Sequence, residues 1–311
     1  MELKSKLKSE LIPDLTGKVV IITGGNSGIG LETGKVLVKN NATVILACRN
    51  ISKFHESAKN LSNKKKLYFI SPLNLSNLKS IDFFSNKFNK EFNQLDILIN
   101  NAGVMNTPFE KTVQGVEIQF GINHLGHYAL CGQLLDSLIK TDKSRVVNVS
   151  SILANDAIFD PSKIYSEDNY DKKTAYKFSK LANLYFSIEL DRQFKKNNLN
   201  CISVTAHPGY SKSNLQRHSK GLLRKLHIFY TTNRHGQSAK MGALPILRAA
   251  TEIGLTGKEY FYPDSNNGLK GFPIVGKYPE IALNEQNAKE LWSLSEKLTN
   301  IKYDFKLWEL D

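Results

Sequence analysis

The sequence has few cysteines and no long apolar run, and these absences argue against several classes of protein. Its 311 residues include 3 cysteines, an odd number without metal-ligand spacing: Cys48, Cys131 and Cys201. We expect them to be small buried residues of a protein in a reducing compartment. No apolar run approaches the roughly 20 residues that span a bilayer, and the first residues, MELKSKLKSE, lack the apolar core of a signal peptide. The sequence therefore predicts a cytoplasmic protein.

Acidic residues are also in short supply, since 29 Asp and Glu accompany 42 Lys and Arg and leave a formal net charge of +13. A nucleic-acid-binding surface would concentrate this charge in one patch. The lysines are instead scattered, and the short clusters at 4–8 and 64–66 are typical of solvated segments. We therefore expect no nucleic-acid partner, whereas an anionic cofactor or an anionic membrane surface would use the positive charge equally well.

Short apolar segments alternate with helical patterns along the chain. The predicted strands are Val19–Thr23, Thr43–Ala47, Leu67–Ile70, Leu95–Asn100, Arg145–Ser150, Cys201–Ala206 and a last one at Tyr260–Tyr262. The predicted helices are Leu31–Lys39, Ser52–Leu61, Leu78–Phe92, Ile118–Ile139, Tyr176–Lys195 and Asn287–Leu310. The strands are continuous and rich in Val, Ile and Leu, as are strands buried on both faces of a parallel sheet. The pattern predicts a doubly wound parallel sheet flanked by helices, of the α/β class.

One domain is predicted over residues 16–300, between a polar segment at 1–15 and a tail at 301–311 in which Trp308 packs down. Residues 211–236 break the alternation and are predicted to form a lid over the carboxyl ends of the strands, where such sheets bind ligands. Its apolar and basic stretch, 222–230, would cover an apolar substrate, contact an anionic membrane or simply pack on the domain. A C-terminal helical extension carries Trp292.

The first predicted strand leads into a glycine-rich run, TGGNSGIG, at residues 23–30. Glycines allow the backbone to turn sharply and to approach a ligand closely. The N–H groups at the start of the next helix then face an anion such as a pyrophosphate. An ordinary strand-to-helix turn has the same pattern, so the assignment depends on residues further along the chain. The predicted cofactor contacts of this run are Gly24, Asn26, Ser27, Gly28, Ile29 and Gly30.

A basic residue follows the second predicted strand, where an acidic one would bind the ribose of NAD about 20 residues after the glycine run. This chain has Arg49 there, followed by Asn50. A guanidinium suits a 2′-phosphate by its charge and by its paired hydrogen bonds, although a solvated strand-end arginine is the simpler alternative. We therefore expect NADP(H) to be preferred over NAD(H).

Polar residues in two further segments are candidate site residues. The segment Asn100–Gly103 follows a strand, and its small residues let the loop approach an adenosine ribose. Its asparagines can hold the neighbouring backbone in place by hydrogen bonds. Asn123 lies inside a predicted helix, where a poor helix former favours a local bulge or a water site. His124 and His127 are three residues apart without a third ligand, so we expect no metal site.

Ser150 and Ser151 end the fifth predicted strand, and Tyr176 and Lys180 lie four residues apart on one helix face. A phenol with the usual pKa of about 10 is a poor acid–base group at neutral pH. A lysine ammonium and a nicotinamide cation nearby would lower the pKa of Tyr176 into a working range. A lone Tyr-x-x-x-Lys is more often a surface pair, and the other features together favour the catalytic interpretation.

These segments together resemble the classical short-chain dehydrogenase/reductase family, and the resemblance covers about residues 16–300. The matching positions are Thr23–Gly30, Asn100–Gly103, Asn123, Ser151, Tyr176 and Lys180. Four further runs are similar to the branch of retinol dehydrogenases, WW-domain oxidoreductase and protochlorophyllide reductases: NHLGH at 123–127, VNVSS at 147–151, SKLAN at 179–183 and HPG at 207–209.

The resemblance implies a single Rossmann-type domain and NAD(P)-dependent interconversion of an alcohol and a carbonyl. By the same resemblance Tyr176 is the catalytic acid/base, and Lys180 binds the nicotinamide ribose and lowers the pKa of that tyrosine. Ser151, chosen over Ser150, hydrogen-bonds the substrate oxygen, and Asn123 orders a proton-relay water. The remaining predicted cofactor contacts are Asn74, Leu75, Asn101, Ala102, Gly103, Tyr176, Lys180, Pro208 and Gly209.

Three departures from the family pattern stand out. Asn74 replaces the usual aspartate beside the adenine, and an amide can still hydrogen-bond a base edge. Tyr210 follows Pro-Gly where a smaller residue is common, and we place it as a substrate contact in a pocket of altered shape. The membrane anchor with which many retinol dehydrogenases begin has no counterpart in the first residues, so membrane residence is not inherited.

The substrate implied by resemblance is a lipophilic aldehyde or ketone, such as a retinoid or a sterol, reduced at the expense of NADPH. Two other functions stay open at this point. A light-dependent tetrapyrrole reductase is compatible with the NHLGH run, and a catalytically silent NADP-sensing interaction protein would keep the cofactor site alone. A homo-oligomer is compatible with the resemblance, since the family often forms dimers or tetramers.

Overall fold

Eight strands form one sheet in the order β3-β2-β1-β4-β5-β6-β7-β8. The computed structural model describes residues 12–59, 63–164, 167–211, 236–257 and 259–306. The first seven strands are parallel, and β8 runs antiparallel to β7. The strands are β1 (Val19–Thr23), β2 (Thr43–Ala47), β3 (Leu67–Tyr68), β4 (Ile97–Asn100), β5 (Ser144–Val149), β6 (Cys201–Ala206), β7 (Tyr260–Ser265) and β8 (Lys270–Gly276).

Helices connect the strands and flank the sheet. They are α1 (Gly28–Lys39), α2 (Ile51–Ala58), α3 (Leu78–Glu91), α4 (Ile118–Phe120), α5 (Gly126–Gln133), α6 (Leu135–Ile139), α7 (Lys172–Lys196), α8 (Ala239–Thr251) and α9 (Glu285–Thr299). A π-helical turn over Gly121–Leu125 joins α4 to α5. The short 3-10 turns are Lys64–Lys66, Ile152–Asp156, Pro161–Ile164 and Glu280–Leu283.

Both faces of the sheet are buried because successive strand residues point to opposite sides. Val20 and Ile22 of β1 pack on one side in a core cluster with Leu37 of α1. Ile21, between them, packs on the other side in a cluster with Phe84 of α3. The predicted α/β fold, a Rossmann-type doubly wound sheet with helices on both faces, is therefore confirmed.

The predicted sheet is wrong at its last edge. Sequence analysis placed the last strand at Tyr260–Tyr262, whereas β7 continues to Ser265 and the antiparallel β8 follows it. The sequence of β8, KGFPIVG, contains two glycines and Pro273 and so resembles a loop. Proline is tolerated in an edge strand, where its missing N–H leaves no ladder bond unmade. The helix α8 was also missed, and it too contains a proline, Pro245.

The long helix predicted over Ile118–Ile139 is interrupted twice. The π-helical turn surrounds Asn123, and this confirms the local bulge expected from that residue. A second break falls at Leu134, whose φ of −102° and ψ of 6° end α5 before α6 begins. The other helices form close to their predicted positions, and α1 and α7 each begin a few residues earlier than predicted.

The C-terminal helix is shorter than predicted because Asn300 adopts a left-handed conformation with φ 55° and ends α9 at Thr299. The following residues turn back onto α5, where Ile301 and Tyr303 lie so close to Gly132 that a Cβ there would be 2.7 Å from each. The Tyr303 hydroxyl donates to the Tyr128 carbonyl at 2.6 Å. Ile301, Tyr303 and Phe305 therefore pack partly buried against the core, whereas the alternate residues Lys302, Asp304 and Lys306 are exposed. Trp308 lies outside the described residues.

Two further sequence expectations can be compared with the described residues. All three cysteines are buried free thiols, as predicted. No helix within the described ranges is both long and apolar enough to cross a bilayer. The lid predicted over 211–236, including the stretch 222–230, lies outside the described residues except at its two ends.

We expect Leu291→Ala to lower the free energy of unfolding by about 2–5 kcal/mol, because it removes a buried side chain that joins α9 to the core. Leu291 is 1% exposed and packs in a cluster with residues of α7. Chemical denaturation followed by circular dichroism measures the change. The neighbouring exposed residue provides the control, and Glu290→Ala should shift stability by less than about 0.5 kcal/mol. Equal stability of both variants would show that α9 is not part of the cooperative core.

Candidate active site

A cleft of about 200 Å³ opens at the carboxyl ends of the parallel strands. Its lining includes fifteen of the seventeen predicted cofactor residues: Gly24, Asn26, Ser27, Gly28, Ile29, Gly30, Arg49, Asn74, Leu75, Asn101, Ala102, Gly103, Tyr176, Lys180 and Pro208. Asn50 and Gly209 lie beside the cleft rather than in its lining. The sequence reasoning missed several other lining residues: Thr23, Ala47, Cys48, Leu73, Val104, Ile122, Val149 and Ser150.

The glycine run forms a cradle that larger residues would fill. Gly24 and Gly28 have φ of 64° and 54°, a conformation that costs glycine least. A Cβ on Gly30 would lie 2.6 Å from both the Gly24 carbonyl oxygen and the Asn101 amide nitrogen. In the described part of the chain, the N-cap residue Ser27 makes no side-chain bond to the first turn of α1. The N–H groups of this turn therefore suit an anion, and the cradle fits the pyrophosphate of a dinucleotide.

Thr23 at the end of β1 locks the cradle to the loop after β4. Its hydroxyl accepts hydrogen bonds from the backbone N–H groups of Asn101 and Ala102, each at 2.9 Å. The Asn101 side chain returns a bond to the Thr23 carbonyl at 2.8 Å. The expectation that an asparagine here locks neighbouring backbone is thus confirmed, and the small residues Ala102 and Gly103 line the cleft beyond it.

A basic hollow adjoins the cradle beside α2. Arg49 lines both the cleft and the hollow, and Lys35 and Lys53 line the hollow with it. The Asn50 side chain also lines this hollow, and its oxygen accepts a bond from the Lys53 backbone N–H, which caps the start of α2. Arg49 is therefore held at a helix start, with two lysines near it that the sequence reasoning did not single out.

The helix α7 brings Tyr176 and Lys180 into the cleft. It begins with a cap in which the Asp171 carboxylate accepts from the Thr174 N–H at 2.7 Å. Tyr176 is 3% exposed, and the side chain of Ser151 lies near enough to its hydroxyl to lower the pKa of the phenol. The Lys180 ammonium lies 5.9 Å from the centre of the Tyr176 ring. The structure therefore brings three of the four predicted catalytic residues together.

The two serines at the end of β5 have different partners. The Ser150 hydroxyl donates to the Lys180 backbone carbonyl at 2.8 Å and is buried against α7. Ser151 is partly exposed, and its side chain contacts Tyr176. A hydroxyl already committed to backbone is a poor substrate contact, so this geometry favours Ser151 over Ser150 for that role.

Burial dominates the electrostatics of Tyr176 and Lys180. Desolvation raises the pKa of Tyr176 to about 12, and the nearby Ser151 side chain partly opposes this rise. Desolvation also lowers the pKa of Lys180 to about 8. Removal of the phenolate from water thus determines the pKa of Tyr176 in the protein alone, and the lowering expected from Lys180 together with a bound nicotinamide stays a prediction. At neutral pH the tyrosine is a protonated phenol.

Asn123 is fixed from several sides within the π-helical turn. Its side-chain oxygen accepts from the Val104 N–H at 2.8 Å. Its side-chain nitrogen donates to the Val104 carbonyl at 3.0 Å and to the Ser179 hydroxyl at 2.9 Å. Ser179 precedes Lys180 on α7, so this amide connects the loop after β4, the π-helical turn and the catalytic helix.

His124 of this turn and His127 at the start of α5 both contact protein groups. The Nδ1 atom of His127 is 2.9 Å from the Asn123 carbonyl oxygen, and its Nε2 atom is 2.8 Å from the Thr23 hydroxyl. The Nε2 atom of His124 is 2.8 Å from the Ser295 hydroxyl of α9. Burial lowers the pKa of His124 to about 3 and that of His127 to about 4. Among the described residues, no three His, Cys, Asp or Glu are grouped as metal ligands.

The loop after β6 closes the other side of the cleft. Pro208 lines it, and Gly209 has φ 68°, with the Leu269 carbonyl 2.5 Å from where a Cβ would be. The Tyr210 N–H donates to that same carbonyl at 2.7 Å. Ser211 then pairs with Gln237 in an isolated bridge. The loop is therefore held against the β7–β8 turn, and Tyr210 directly precedes the first residue of the predicted lid.

A doubly wound sheet with a pyrophosphate cradle and a buried Tyr–Lys pair defines an oxidoreductase that uses a nicotinamide dinucleotide. The chain belongs to the short chain dehydrogenase family, whose model matches residues 18–221. It is 42% identical to human retinol dehydrogenase 11 over 292 residues, which are 93% of this chain and 88% of that protein. It is 36% identical to human retinol dehydrogenase 12 over 301 residues, at 93% and 89% coverage.

A solved structure supports the same assignment. An uncharacterised protein from Mycobacterium paratuberculosis superimposes with a TM-score of 0.80 and 33% identity, covering 96% of this chain and 99% of that one. Family membership, together with these relatives, makes the chain an oxidoreductase that interconverts an alcohol and a carbonyl. The resemblance to the retinol dehydrogenase branch inferred from sequence is confirmed.

We expect Lys180→Met to stabilise the fold at pH 7 while it removes a predicted catalytic group. The unfolded chain holds this proton up to a pKa near 10.5, whereas burial lowers the folded pKa to about 8. Below pH 8 the buried charge therefore costs up to about 3 kcal/mol, and this cost disappears as the pH rises from 8 to 10.5. Thermal unfolding of both proteins at pH 7 and pH 10 measures the effect. A variant that is less stable than wild type at pH 7 would contradict the assigned burial of the ammonium.

Proposed function

We propose that this chain reduces a lipophilic aldehyde or ketone with NADPH, with Tyr176 as the acid/base. One observation carries the proposal: the side chain of Ser151 lies near enough to the Tyr176 hydroxyl to lower its pKa, at the cleft that the glycine cradle enters. This arrangement presents two hydroxyl groups to one substrate oxygen. The relatives named as retinol dehydrogenases support a lipophilic substrate of the retinoid class.

The protonation state of Tyr176 favours reduction. The nicotinamide ring, when bound, supplies the hydride that reaches the carbonyl carbon. Tyr176 donates its proton to the carbonyl oxygen, and its raised pKa, about 12, ensures that the proton is present at neutral pH. Ser151 donates a second hydrogen bond to the same oxygen, where negative charge develops. Lys180 stabilises the phenolate that remains, because an ammonium nearby favours the charged form.

The residues around Ser151 suit an apolar substrate. The 3-10 turn Ile152–Asp156 begins directly after it, and Leu153 in this turn is 38% exposed. Ile158, two residues beyond the turn, is 71% exposed. Apolar side chains left in water beside a reactive hydroxyl favour a lipophilic partner. Tyr210 remains a predicted substrate contact, since its loop borders the same side of the cleft.

The basic hollow supports a preference for NADP(H). A 2′-phosphate adds negative charge at the adenosine ribose, and Arg49, Lys35 and Lys53 line the hollow next to the cradle. Lys35 also pairs with Glu32 at 2.6 Å, which leaves Arg49 and Lys53 as the main candidates for the phosphate. Asn74 and Leu75 line the opposite part of the cleft, where we place the adenine.

Three further expectations remain predictions. The membrane contact proposed for 222–230 falls outside the described residues. Assembly into a homo-oligomer and residence in the cytoplasm also remain predictions from the sequence.

We expect Tyr176→Phe to lower kcat for carbonyl reduction by roughly 10²–10⁴-fold, because it removes the proton donor. NADPH affinity should stay within several-fold. The measurement is NADPH oxidation at 340 nm against a panel of retinoid, steroid and short-chain carbonyls, with NADPH binding followed by fluorescence. Tyr185→Phe is the matched control, since it removes a hydroxyl of the same helix that instead bonds the Ile281 carbonyl. Near-normal turnover of Tyr176→Phe would refute the assigned role.

We expect Arg49→Asp to lower the NADPH-to-NADH ratio of kcat/KM by at least about tenfold, because a charged hydrogen bond to the 2′-phosphate becomes a repulsion. Steady-state kinetics with both coenzymes measure the ratio. Lys39→Asp makes the same change in net charge at the far end of α1, and it should leave the ratio unaltered. An unchanged ratio in Arg49→Asp would mean that another residue binds the 2′-phosphate.

A further inference from the structure

A chain of hydrogen bonds crosses the core from the dinucleotide cradle to the π-helical turn. Thr23 at the end of β1 contacts the Nε2 atom of His127 at 2.8 Å, although the two residues are 104 positions apart. The Nδ1 atom of the same ring contacts the Asn123 carbonyl oxygen at 2.9 Å. His127 is 1% exposed, so no solvent competes for either contact. One imidazole thus bridges two parts of the site.

The partners of the ring determine its tautomer. A backbone carbonyl accepts hydrogen bonds and cannot donate, so the Nδ1 atom of His127 carries the proton. In a neutral ring the Nε2 atom then accepts, and the Thr23 hydroxyl is its donor. That hydroxyl still has two lone pairs, which the backbone N–H groups of Asn101 and Ala102 use. The Ile99 carbonyl is a more distant alternative acceptor for Thr23, at 3.3 Å. Each polar atom of the bridge therefore has a complementary partner.

The carbonyl at the end of this bridge is the group of Asn123 best suited to a proton relay. The side-chain amide of Asn123 is committed to Val104 and Ser179, as described above. The carbonyl oxygen has two lone pairs, and His127 takes one of them. Lys180 follows Ser179, to which the Asn123 side chain donates at 2.9 Å, and its charge is among the causes that lower the pKa of His127.

We propose that His127 is a positioning residue that couples the dinucleotide cradle to the Asn123 carbonyl, and so sets where the relay beside Lys180 accepts its proton. Only the expected effect on kcat rests on the proposed function. Through Thr23, the ring is connected to the backbone that approaches the adenosine ribose. Through Asn123, it is connected to the helix that carries Tyr176. Binding of the dinucleotide at one end is thereby linked to proton transfer at the other.

The first test needs no turnover. Two-bond 1H–15N spectra of labelled protein distinguish the neutral imidazole tautomers, and His127→Gln identifies the signal of His127. We expect the Nδ1–H tautomer, unchanged between pH 5.5 and pH 8, because burial and the nearby Lys180 hold the pKa of His127 near 4. His124, three residues earlier in the π-helical turn, has its pKa lowered to about 3 and should stay neutral as well. An Nε2–H tautomer, or titration near the ordinary pKa, would overturn the proposal.

The second test separates the two contacts of the ring. An asparagine amide reaches the place of Nδ1, so His127→Asn keeps the bond to Asn123 and loses the one to Thr23. A glutamine amide reaches the place of Nε2, so His127→Gln keeps Thr23 and loses Asn123. We expect His127→Gln to lower kcat about tenfold with NADPH affinity within about twofold, as for one lost hydrogen bond. His127→Asn should instead weaken NADPH binding several-fold and retain more of kcat than His127→Gln.

The control is His124, the neighbouring histidine in the π-helical turn. His124→Gln replaces an equally buried ring that bonds Ser295 of α9, so it should lower the melting temperature without separating kcat from NADPH affinity. Parallel losses of kcat and affinity in both His127 variants would mean a merely structural role and would overturn the proposal. If the wild type shows no NADPH-dependent reduction, the proposed function fails, and the tautomer and the NADPH dissociation constants still decide the role of His127.

Discussion

The arrangement of the site depends on one buried amide, the side chain of Asn123. It occupies a π-helical turn and satisfies both backbone groups of Val104 as well as the Ser179 hydroxyl. A buried polar group of this kind is costly to leave unpaired, so the three segments that it joins are held in fixed positions relative to one another. The π-helical turn is the local irregularity that allows this, because it changes the direction of side chains within an otherwise continuous helix. The positions of α7 and of the loop after β4 beside the cleft follow from these contacts.

Burial orders the site, but burial of its ionisable groups also lowers the stability of the folded protein. Tyr176 and Lys180 are removed from water together, and desolvation shifts the pKa of each toward its neutral form. The lysine then carries a free-energy cost at neutral pH that an apolar side chain would not. Such costs are typical of functional sites, where stability is exchanged for reactivity. The continuous apolar strands on both faces of the sheet supply the stability that offsets them.

The sequence was sufficient to predict those strands whose limits depend on local composition. β1, β2 and β6 have their predicted limits because each is a short run rich in apolar residues with a polar or glycine boundary. β8 was missed because its glycines and proline suit an edge strand, and edge position is a tertiary property. The cleft was predicted well, since the glycine run and Tyr176 with Lys180 have characteristic spacings. Thr23 and His127 were missed as a pair because their contact spans 104 residues, which no local spacing reveals.

The edge strand β8 has a consequence for how copies of this chain meet in solution. The parallel sheet would otherwise end at β7 with open backbone groups, and such edges pair readily with other chains. β8 covers that edge, Pro273 within it lacks an N–H, and a bulge disturbs the pairing between Pro263 and Ser265. Exposed lysine at its first position, Lys270, adds a charge that opposes strand addition. Fibril-like growth by edge-to-edge strand pairing is therefore disfavoured on this side of the molecule.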